Sequence, residues 1–539
     1  MTSSISLVSH LSLSYLPVLK WGLHVRWFIV GLLVFGLASP APAAWYQAQS
    51  DHFVIYADDS EKNVRRFAEV LESYHSAMEV VTGRQLTKPS PSNRVTIYAL
   101  GTARDVQALV DSKMKTLQGF YIPRAGASVA FVQDLRSTGK EPDEAMGVLL
   151  HEYAHHFLIS SQRMAMPKWM SEGAAEFFSS AAFQSDGRID VGLPNFSREG
   201  ELFYAEDVPI RQLLDEDLYV AKAGKRYDAF YGRSWLLYHY LMFDPERQGQ
   251  LNRYWLETAR GTPRLVAAEK TFGDLDVLDK SLDRYLKSRR WKIYSALPEQ
   301  IRVGTITVEP LTAGNVAMLP VITVSKRGVN EAQATALVIK ARAIAAKYPM
   351  DLAVLSALAE AEQDAGNEDE AIAAADRALA IDPAAKDALL QKGLSLFARA
   401  SEADDPRAAY NAAMEPFEAL NRLESDHPLP LIYFYQGYLA RGEVPPQPAR
   451  TALVRAARLA PFDLGLAFQV GSLFASEGSV AAAVGVLQPI AGNPHGDALS
   501  VQAKALIDYL DGKPEGVPVS LAGFARAVEQ AEASDQPAS

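Results

Sequence analysis

Hydrophobic residues follow two different patterns along the chain, and the pattern changes near residue 330. Before that point, short apolar runs rich in β-branched and aromatic residues predict strands at 52–57, 94–100 and 126–132. Between them, apolar residues spaced three or four apart predict helices, one of which runs from Ser60 to about Val81. Beyond residue 330 only the helical spacing continues. The sequence therefore predicts an α+β region followed by an all-α region.

The all-α region carries an internal repeat. Small residues such as Ala359, Ala371 and Ala378 recur where paired helices must approach closely. Prolines that follow predicted helices fall 34, 45, 33 and 33 residues apart, at Pro349, Pro383, Pro428, Pro461 and Pro494. A period of about 34 residues is typical of tetratricopeptide repeats, which stack helix pairs into a solenoid. We predict such a solenoid over 330–512, which either presents a surface to a protein partner or serves as a structural buttress.

Two segments flank this repeat. Residues 298–329 contain two β-like runs, 303–308 and 321–324, between prolines and glycines, and predict a linker or a small connecting sheet. The last segment, 513–539, ends in a polar stretch that predicts partial disorder. The α+β domain is accordingly predicted over 45–297.

The N-terminal segment 1–44 has the organisation of a secretory signal peptide. Lys20 and Arg26 precede an apolar stretch at 27–38, and small residues follow at 39–44. The apolar stretch is short for a bilayer span, which needs about 20 residues. We predict that the chain is exported, in a bacterium to the periplasm, and that it keeps no stable membrane span once the signal is removed. The alternative is an uncleaved N-terminal anchor.

Composition narrows the classes of function. At 539 residues the chain exceeds one domain, and its net charge of −11 without a basic stripe argues against a nucleic-acid partner. The sequence contains no cysteine, which excludes disulfides, thiolate metal sites and cysteine nucleophiles. A metal site in this chain must therefore use histidine and carboxylate ligands.

The strongest chemical signal is the pentapeptide HEYAH at 151–155, inside an apolar helical run. Histidines four residues apart lie on one face of a helix, so the imidazoles of His151 and His155 can reach one zinc ion. Glu152 is poorly placed to bind the same ion. It can instead take a proton from water, which peptide hydrolysis requires. His156 is rotated about 100° away on the helix and is predicted to be a packing or surface residue.

A second stretch, PKWMSEGAAEFF at 167–178, follows the motif. The two stretches resemble the gluzincin metallopeptidases, in particular the peptidase MA-like group, over about 45–295. The resemblance implies that Glu172, seventeen residues after His155, is the third ligand of one zinc ion. Two imidazoles and a carboxylate leave a fourth position open, as in catalytic zinc sites. It also implies that Glu176 receives the free N–H of a ligand histidine; the alternative is a solvated or capping acid.

A helical stretch at 227–241 resembles the segment that gives related enzymes a tyrosine for the tetrahedral intermediate. Aligned in this way the tyrosine is Tyr231, with Ser234 in place of the family's glycine. Tyr227 is the alternative, and either ring could instead fill the core. The chain has no G-x-M-E-N-type segment, which binds a free amino terminus in the aminopeptidase relatives. This departure favours an endopeptidase or an enzyme with a specialised substrate.

Together these patterns predict an exported zinc-dependent peptidase. Its fold is an α+β gluzincin catalytic domain, with a mixed sheet plus zinc-binding helices, followed by an all-α tetratricopeptide-like solenoid that recruits substrate or partner. If the strand at 126–132 lies at a sheet edge, a peptide substrate can add to it; the alternative is an ordinary sheet strand. The alternative function is a non-catalytic binding or scaffold protein of the cell envelope, whose zinc site is structural or vestigial.

Overall fold

The computed structural model describes most of the chain beyond the predicted signal peptide. The described residues are 45–110, 117–126, 128–133, 142–161, 164–194, 196–222, 227–493, 498–520, 523, 525 and 526. The predicted signal peptide at 1–44 and the greater part of the predicted tail at 513–539 lie outside them. Within these residues, no helix combines the length and the apolar character needed to cross a membrane.

A mixed sheet of six strands forms the centre of the N-terminal half. The strands of the described chain are β1 (Trp45–Gln49), β2 (Phe53–Asp58), β3 (Val95–Leu100), β4 (Gly119–Ile122), β5 (Val129–Gln133), β6 (Ala181–Phe183), β7 (Ile189–Val191), β8 (Tyr294–Ala296) and β9 (Thr307–Pro310). The large sheet has the order β4-β5-β3-β2-β1-β9. In it, β3 is parallel to β2 and β5, and the other neighbours are antiparallel. Strands β6, β7 and β8 form a second, antiparallel sheet.

Of the two positions considered for the strand predicted at 126–132, the structure supports the ordinary interior strand and not the edge strand. It begins at Val129, as β5, and lies inside the sheet between β3 and β4. Its residues from Val129 to Val132 are all buried, which is typical of a strand covered on both faces. Among the described strands, the edge on this side is β4, whose four residues were too short to predict. Strand β5 is therefore paired on both sides, and β4 is paired on one side only among the described strands.

Helices cover the sheet in the N-terminal half. They are α1 (Glu61–Thr82), α2 (Ala103–Leu109), α3 (Glu144–Ser161), α4 (Lys168–Ser179), α5 (Phe196–Tyr204), α6 (Ile210–Leu214), α7 (Glu216–Lys222), α8 (Phe230–Phe243), α9 (Gln250–Ala259), α10 (Arg264–Phe272) and α11 (Leu275–Ser288). The helix predicted from Ser60 is confirmed as α1. The Ser60 hydroxyl caps it by accepting the Asn63 N–H at 3.3 Å, and Gly83 ends it with φ +65°. Buried faces of α1 and α3 form the main core with the sheet.

The segment 298–329 differs from its prediction. Part of its first β-like run joins β9, which extends the large sheet by pairing with β1. The second run, 321–324, is wrong as a strand, because it lies inside a helix, α12 (Ala313–Arg327). The apolar face of α12, which includes Leu319, packs on the sheet against Tyr98. Burial of this face outweighs the low helix propensity of its β-branched residues.

The C-terminal half is an all-α repeat solenoid. Its further helices are α13 (Glu331–Ala345), α14 (Leu352–Asp364), α15 (Glu368–Ile381), α16 (Lys386–Ala400), α17 (Pro406–Leu423), α18 (Pro428–Ala440), α19 (Gln447–Leu459), α20 (Leu464–Ser476), α21 (Val480–Ala491) and α22 (Ala498–Leu510). Helices adjacent in sequence pack together, and α14 also contacts α12 and α16, so that alternate helices line one face. The small residues Ala359, Ala371 and Ala378 have no exposed surface. The predicted helix stacking is therefore confirmed as an all-α repeat.

Helices α4 and α8 cross at a point that leaves no room for a side chain. A Cβ added at Gly173 would lie 2.4 Å from the carbonyl oxygen of Ser234 and 3.0 Å from the Cβ of Tyr238. Such distances are shorter than van der Waals contact, so only glycine fits without a shift of one helix. Gly173 directly follows Glu172. The crossing therefore also determines where the predicted ligand lies.

We predict that Gly173→Ala destabilises the protein by about 1–3 kcal/mol, because the added methyl group forces α4 and α8 apart. Gly147→Ala on α3 is the control. A Cβ there meets no packed neighbour within 4 Å among the described residues, and alanine favours a helix by about 1 kcal/mol. Urea unfolding followed by circular dichroism measures both free energies. Equal stability of the two variants would contradict the close packing of α4 on α8.

Candidate metal centre

Helix α3 brings the two histidines of the motif to one point. The Asp143 carboxylate caps the helix by accepting the Met146 N–H at 2.9 Å. An apolar face that includes Leu150 anchors the helix in the main core. The Nε2 atoms of His151 and His155, one turn apart, are separated by 3.1 Å. The two imidazoles therefore present nitrogen atoms to the same small volume.

Helix α4 adds a carboxylate to this volume. Oε2 of Glu172 lies 3.4 Å from Nε2 of His151 and 3.4 Å from Nε2 of His155. The Glu172 side chain is fully buried because α4 packs against both α3 and α8. The hydroxyl of Ser171 lies 3.3 Å from Nδ1 of His155, on the far side of that ring. In the part of the chain that the structure describes, these two histidines and Glu172 are the only cluster of three potential ligands whose atoms lie within 4.8 Å of one another.

The triangle formed by these three atoms is close to the size that a zinc ion requires, with two sides inside the expected range and one about 0.2 Å shorter. Tetrahedral zinc with bonds of about 2.0–2.2 Å places neighbouring ligand atoms about 3.3–3.6 Å apart. The sides of the triangle measure 3.1 Å, 3.4 Å and 3.4 Å. Two imidazole nitrogens and one carboxylate oxygen also make a donor set that zinc binds in catalytic sites. The residues present therefore fit the ion that the sequence resemblance implies.

A chain of charged groups contacts His151 at Nδ1, the ring nitrogen that does not belong to the triangle. Nδ1 of His151 lies 3.2 Å from Oε1 of Glu176, and the Arg198 guanidinium donates to the same Oε1 at 2.7 Å. Arg198 also donates to Oε1 of Glu201 at 3.1 Å. The other oxygen of Glu201 accepts the Gly232 N–H at 2.6 Å. This chain holds the imidazole with Nε2 towards the triangle, which is how an outer carboxylate commonly orients a metal-binding histidine.

Arg198 and Glu201 were not predicted from the sequence. Both lie on α5, a helix of nine residues whose polar positions resemble those of an ordinary exposed helix. Glu201 is nevertheless only 2% exposed. The one available signal was the pair of opposite charges three residues apart, and such pairs are common on helix surfaces.

The electrostatics of the centre favour positive charge. Burial raises the pKa of Glu176, but the hydrogen bond and charge of His151 and the charge of Arg198 outweigh it and lower that pKa to about 2. Burial lowers the pKa of His151, but Glu172 and Glu176 outweigh it and raise that pKa to about 10. The pKa of Glu172 is also held well below its usual range, because its contacts with the two histidines outweigh its burial. Two buried carboxylates thus favour a cation at the imidazoles.

Two further residues of the predicted site, Glu152 and Tyr231, lie on helices that border the triangle, Glu152 directly after His151 on α3 and Tyr231 on α8. Glu152 is half-buried on α3, and its charge adds to the burial that raises the pKa of Tyr121 on β4. Tyr231 is half-buried on α8, with the Arg198 guanidinium 4.9 Å from its ring centre. Burial raises the pKa of Tyr231, and the charge of Glu172 adds to this rise. Both side chains therefore lie within electrostatic reach of residues of the centre or of the edge strand.

Other groups hold Tyr227 and His156. Tyr227 is 68% exposed, and its hydroxyl donates to Oε1 of Glu201 at 2.5 Å. Nδ1 of His156 lies 2.7 Å from the Tyr121 hydroxyl, and its ring centre lies 4.5 Å from that of Phe462 in the solenoid. His156 is therefore a packing residue between the sheet and the solenoid.

Two solved structures similar to this chain are repeat proteins. A thermophilic TPR protein from Thermus thermophilus is 16% identical with a TM-score of 0.31, over 36% of this chain and 98% of its own. A tetratricopeptide repeat protein from Parabacteroides merdae is 13% identical with a TM-score of 0.29, over 53% of this chain and 92% of its own. No protein-family model and no curated protein matches the chain.

We expect zinc to stabilise the chelator-treated protein through this triangle. With free zinc at about 100 times its dissociation constant, the gain is about 2.7 kcal/mol. His155→Gln removes a ligand, so the zinc-dependent rise in melting temperature should largely disappear. His156→Gln is the matched control and should keep the rise, because its ring packs on Phe462. Thermal melting with and without zinc measures the effect, and equal rises in the two variants would show that the ligands are assigned wrongly.

Proposed function

We propose that this protein is a zinc-dependent peptidase of the gluzincin type. The observation that carries the proposal is the triangle of ligand atoms from His151, His155 and Glu172, with Glu152 beside it on the same helix. These three residues would hold the ion. A bound zinc ion supplies a Lewis acid that polarises the scissile carbonyl and makes water acidic.

Glu152 acts as the general base and then as the general acid. Its carboxylate takes a proton from the attacking water and passes it to the amine that leaves. The position of Glu152 supports this role, because it follows His151 on α3 and its charge reaches Tyr121 on β4. It is therefore adjacent in sequence to one proposed ligand and within electrostatic reach of the edge strand.

Tyr231 donates its hydroxyl to the carbonyl oxygen as negative charge develops there. Burial and the charge of Glu172 raise the pKa of Tyr231, so its phenol stays protonated and able to donate at neutral pH. The Arg198 guanidinium against the ring restricts its movement. A donor of this kind is typically worth about 2.7–4 kcal/mol in the transition state.

The substrate is proposed to be an extended peptide that pairs with β4. This strand lies at the edge of the large sheet among the described strands, and α3 packs beside it. A peptide added there passes the helix that carries Glu152. Because strand addition captures the main chain of an internal segment, it favours endopeptidase activity.

A second candidate function is a binding or scaffold role carried by the solenoid. Its surface exposes large apolar side chains, among them Ile339 at 64%, Met350 at 74% and Val444 at 88%. Helical solenoids bind protein partners through such extended surfaces. The metal centre would then be structural or vestigial, in a chain predicted to reach the cell envelope. The two candidates differ at Glu152, whose carboxylate is needed for catalysis but not for holding the ion.

We predict that the Glu152→Gln variant still binds one zinc ion but has a kcat about 10²–10⁴-fold lower than that of the parent protein. Glu144→Gln, at the exposed start of the same helix, is the control and should leave kcat unchanged. Elemental analysis measures zinc, and mass spectrometry measures cleavage of a peptide library made from envelope proteins. Cleavage by Glu152→Gln at the parent rate would show that the mechanism is wrong. A parent protein that binds zinc but cleaves nothing would favour the scaffold role.

We predict that Tyr231→Phe lowers kcat by about 10²–10³-fold while KM stays nearly constant, because the lost hydroxyl acts only on the developing charge. Tyr227→Phe is the matched control. It removes the same atom from a ring that is 68% exposed and bonded to Glu201. Steady-state kinetics on one peptide identified from the library measures both variants. A larger loss of kcat in Tyr227→Phe than in Tyr231→Phe would assign the role of oxyanion donor to Tyr227.

A further inference from the structure

Two loops of the large sheet form hydrogen bonds with the solenoid. One loop follows β4 and includes residues 123–126. The other precedes β3 and contains a short 3₁₀ turn, Pro91–Asn93. Both loops meet the solenoid around α18, at the ends of α17 and α19, and at the start of α20. The solenoid is therefore in direct contact with the sheet that carries the proposed substrate strand.

The loop after β4 is held by a hydrogen bond and by close packing. The Ala125 N–H donates to Oδ2 of Asp463 at 2.9 Å. Ala125 is 5% exposed and belongs to the same apolar cluster as Phe462. At Gly126, whose φ is +73°, an added Cβ would lie 3.1 Å from Cε1 of His427. The loop thus has little room to move while the solenoid is in place.

The second loop reinforces the first. Ser92 donates its N–H and its hydroxyl to Oε1 of Glu424, at 2.9 Å and 2.7 Å. Asn93 is only 2% exposed and connects both loops to the solenoid. Its side-chain oxygen accepts the Gly126 N–H at 3.0 Å, and its amide donates to the Leu459 carbonyl at 3.3 Å.

The turn between α19 and α20, which contains Phe462 and Asp463, also contacts α3, the helix that carries two of the proposed metal ligands. The ring of Phe462, the residue before Asp463, lies 4.5 Å from the ring of His156 on α3. His156 in turn lies 2.7 Å from the hydroxyl of Tyr121 on β4. Two consecutive solenoid residues therefore contact both the helix with the ligands and the loop that continues the edge strand.

We propose that Phe462 and Asp463 are positioning residues that set the distance between the edge strand β4 and the metal-binding helix α3. The inference rests on the proposed function, in which a peptide must lie on β4 and reach the centre on α3 at the same time. If β4 is held less firmly in this position, an extended peptide pairs with it less tightly. The solenoid then acts on the catalytic half of its own chain, whatever partner it binds elsewhere.

Asp463→Ala tests the contact with the loop. Asp463 also caps α20, because its Oδ1 accepts the Leu466 N–H at 2.9 Å, so the loss of this cap needs a control. Asp405→Ala is the matched control, since Asp405 caps α17 in the same way by accepting the Ala408 N–H at 3.1 Å. Phe462→Leu tests the ring contact with α3. Phe417→Leu, at a buried ring inside the solenoid, is its control.

Backbone hydrogen exchange at 117–126, followed by mass spectrometry, is the first readout. We expect exchange there to become about tenfold faster in Asp463→Ala and Phe462→Leu and to stay unchanged in the two controls. The zinc-dependent rise in melting temperature should persist in all four variants, because none removes a ligand. On a peptide whose cleavage depends on Glu152, we expect KM to rise about tenfold in the two test variants with kcat nearly constant.

Equal exchange at 117–126 in the test and control variants would overturn the proposal, whether or not the protein cleaves peptides. A change in kcat with KM unchanged would also overturn it, since that result places the effect on the chemical step and not on the substrate strand. A parent protein that cleaves no peptide overturns the proposed function alone. The exchange comparison then still decides whether Phe462 and Asp463 hold β4 against α3.

Discussion

A fully buried carboxylate at the junction of three helices is the constraint on which the site depends. Glu172 has no exposed surface, and removing such an anion from water costs several kcal/mol unless positive charge and hydrogen bonds offset the cost. His151 and His155, each 3.4 Å away, can offset it as protonated rings or as fellow ligands of a cation. A metal ion bound to all three residues satisfies the carboxylate directly. Metal binding should therefore also stabilise the fold.

The crossing of α4 and α8 connects this carboxylate to the rest of the site. Gly173 allows the backbone of α4 to approach the carbonyl of Ser234 on α8. Helix α8 also carries Tyr231, and the N–H of Gly232 binds Glu201 in the network behind the ligands. One contact between two helices thus positions the carboxylate, the supporting charges and the proposed oxyanion donor. A shift at this crossing would change metal binding and catalysis together.

Local patterns predicted the parts of the molecule that depend on local geometry. The HEYAH motif needs only the helical period, and α1 needs only its cap at Ser60 and its stop at Gly83. The role given to Glu172 came from a resemblance, because the packing of α4 on α3 is a tertiary property. Arg198 could not be predicted for the same reason, since α5 meets α4 only in the folded chain. The sequence left open whether the strand at 126–132 lies at an edge, and it mispredicted α12 as a strand, because neighbours distant in sequence decide what covers each segment.

The position of the solenoid bears on both of its proposed roles, the binding of a protein partner and the positioning of β4 against α3. On the face towards the sheet, Asp463 and Glu424 already bind loops of the same chain. The segment 298–329 gives a strand to the sheet and a helix to the solenoid, so the two halves share elements. A protein partner would therefore contact exposed positions elsewhere, such as Val444 between α18 and α19. Phe462 connects the solenoid to α3, the helix that carries the candidate ligands. The proposed peptidase role and the proposed partner-binding role are therefore not exclusive alternatives, because the halves of the chain to which they are assigned share one packed interface.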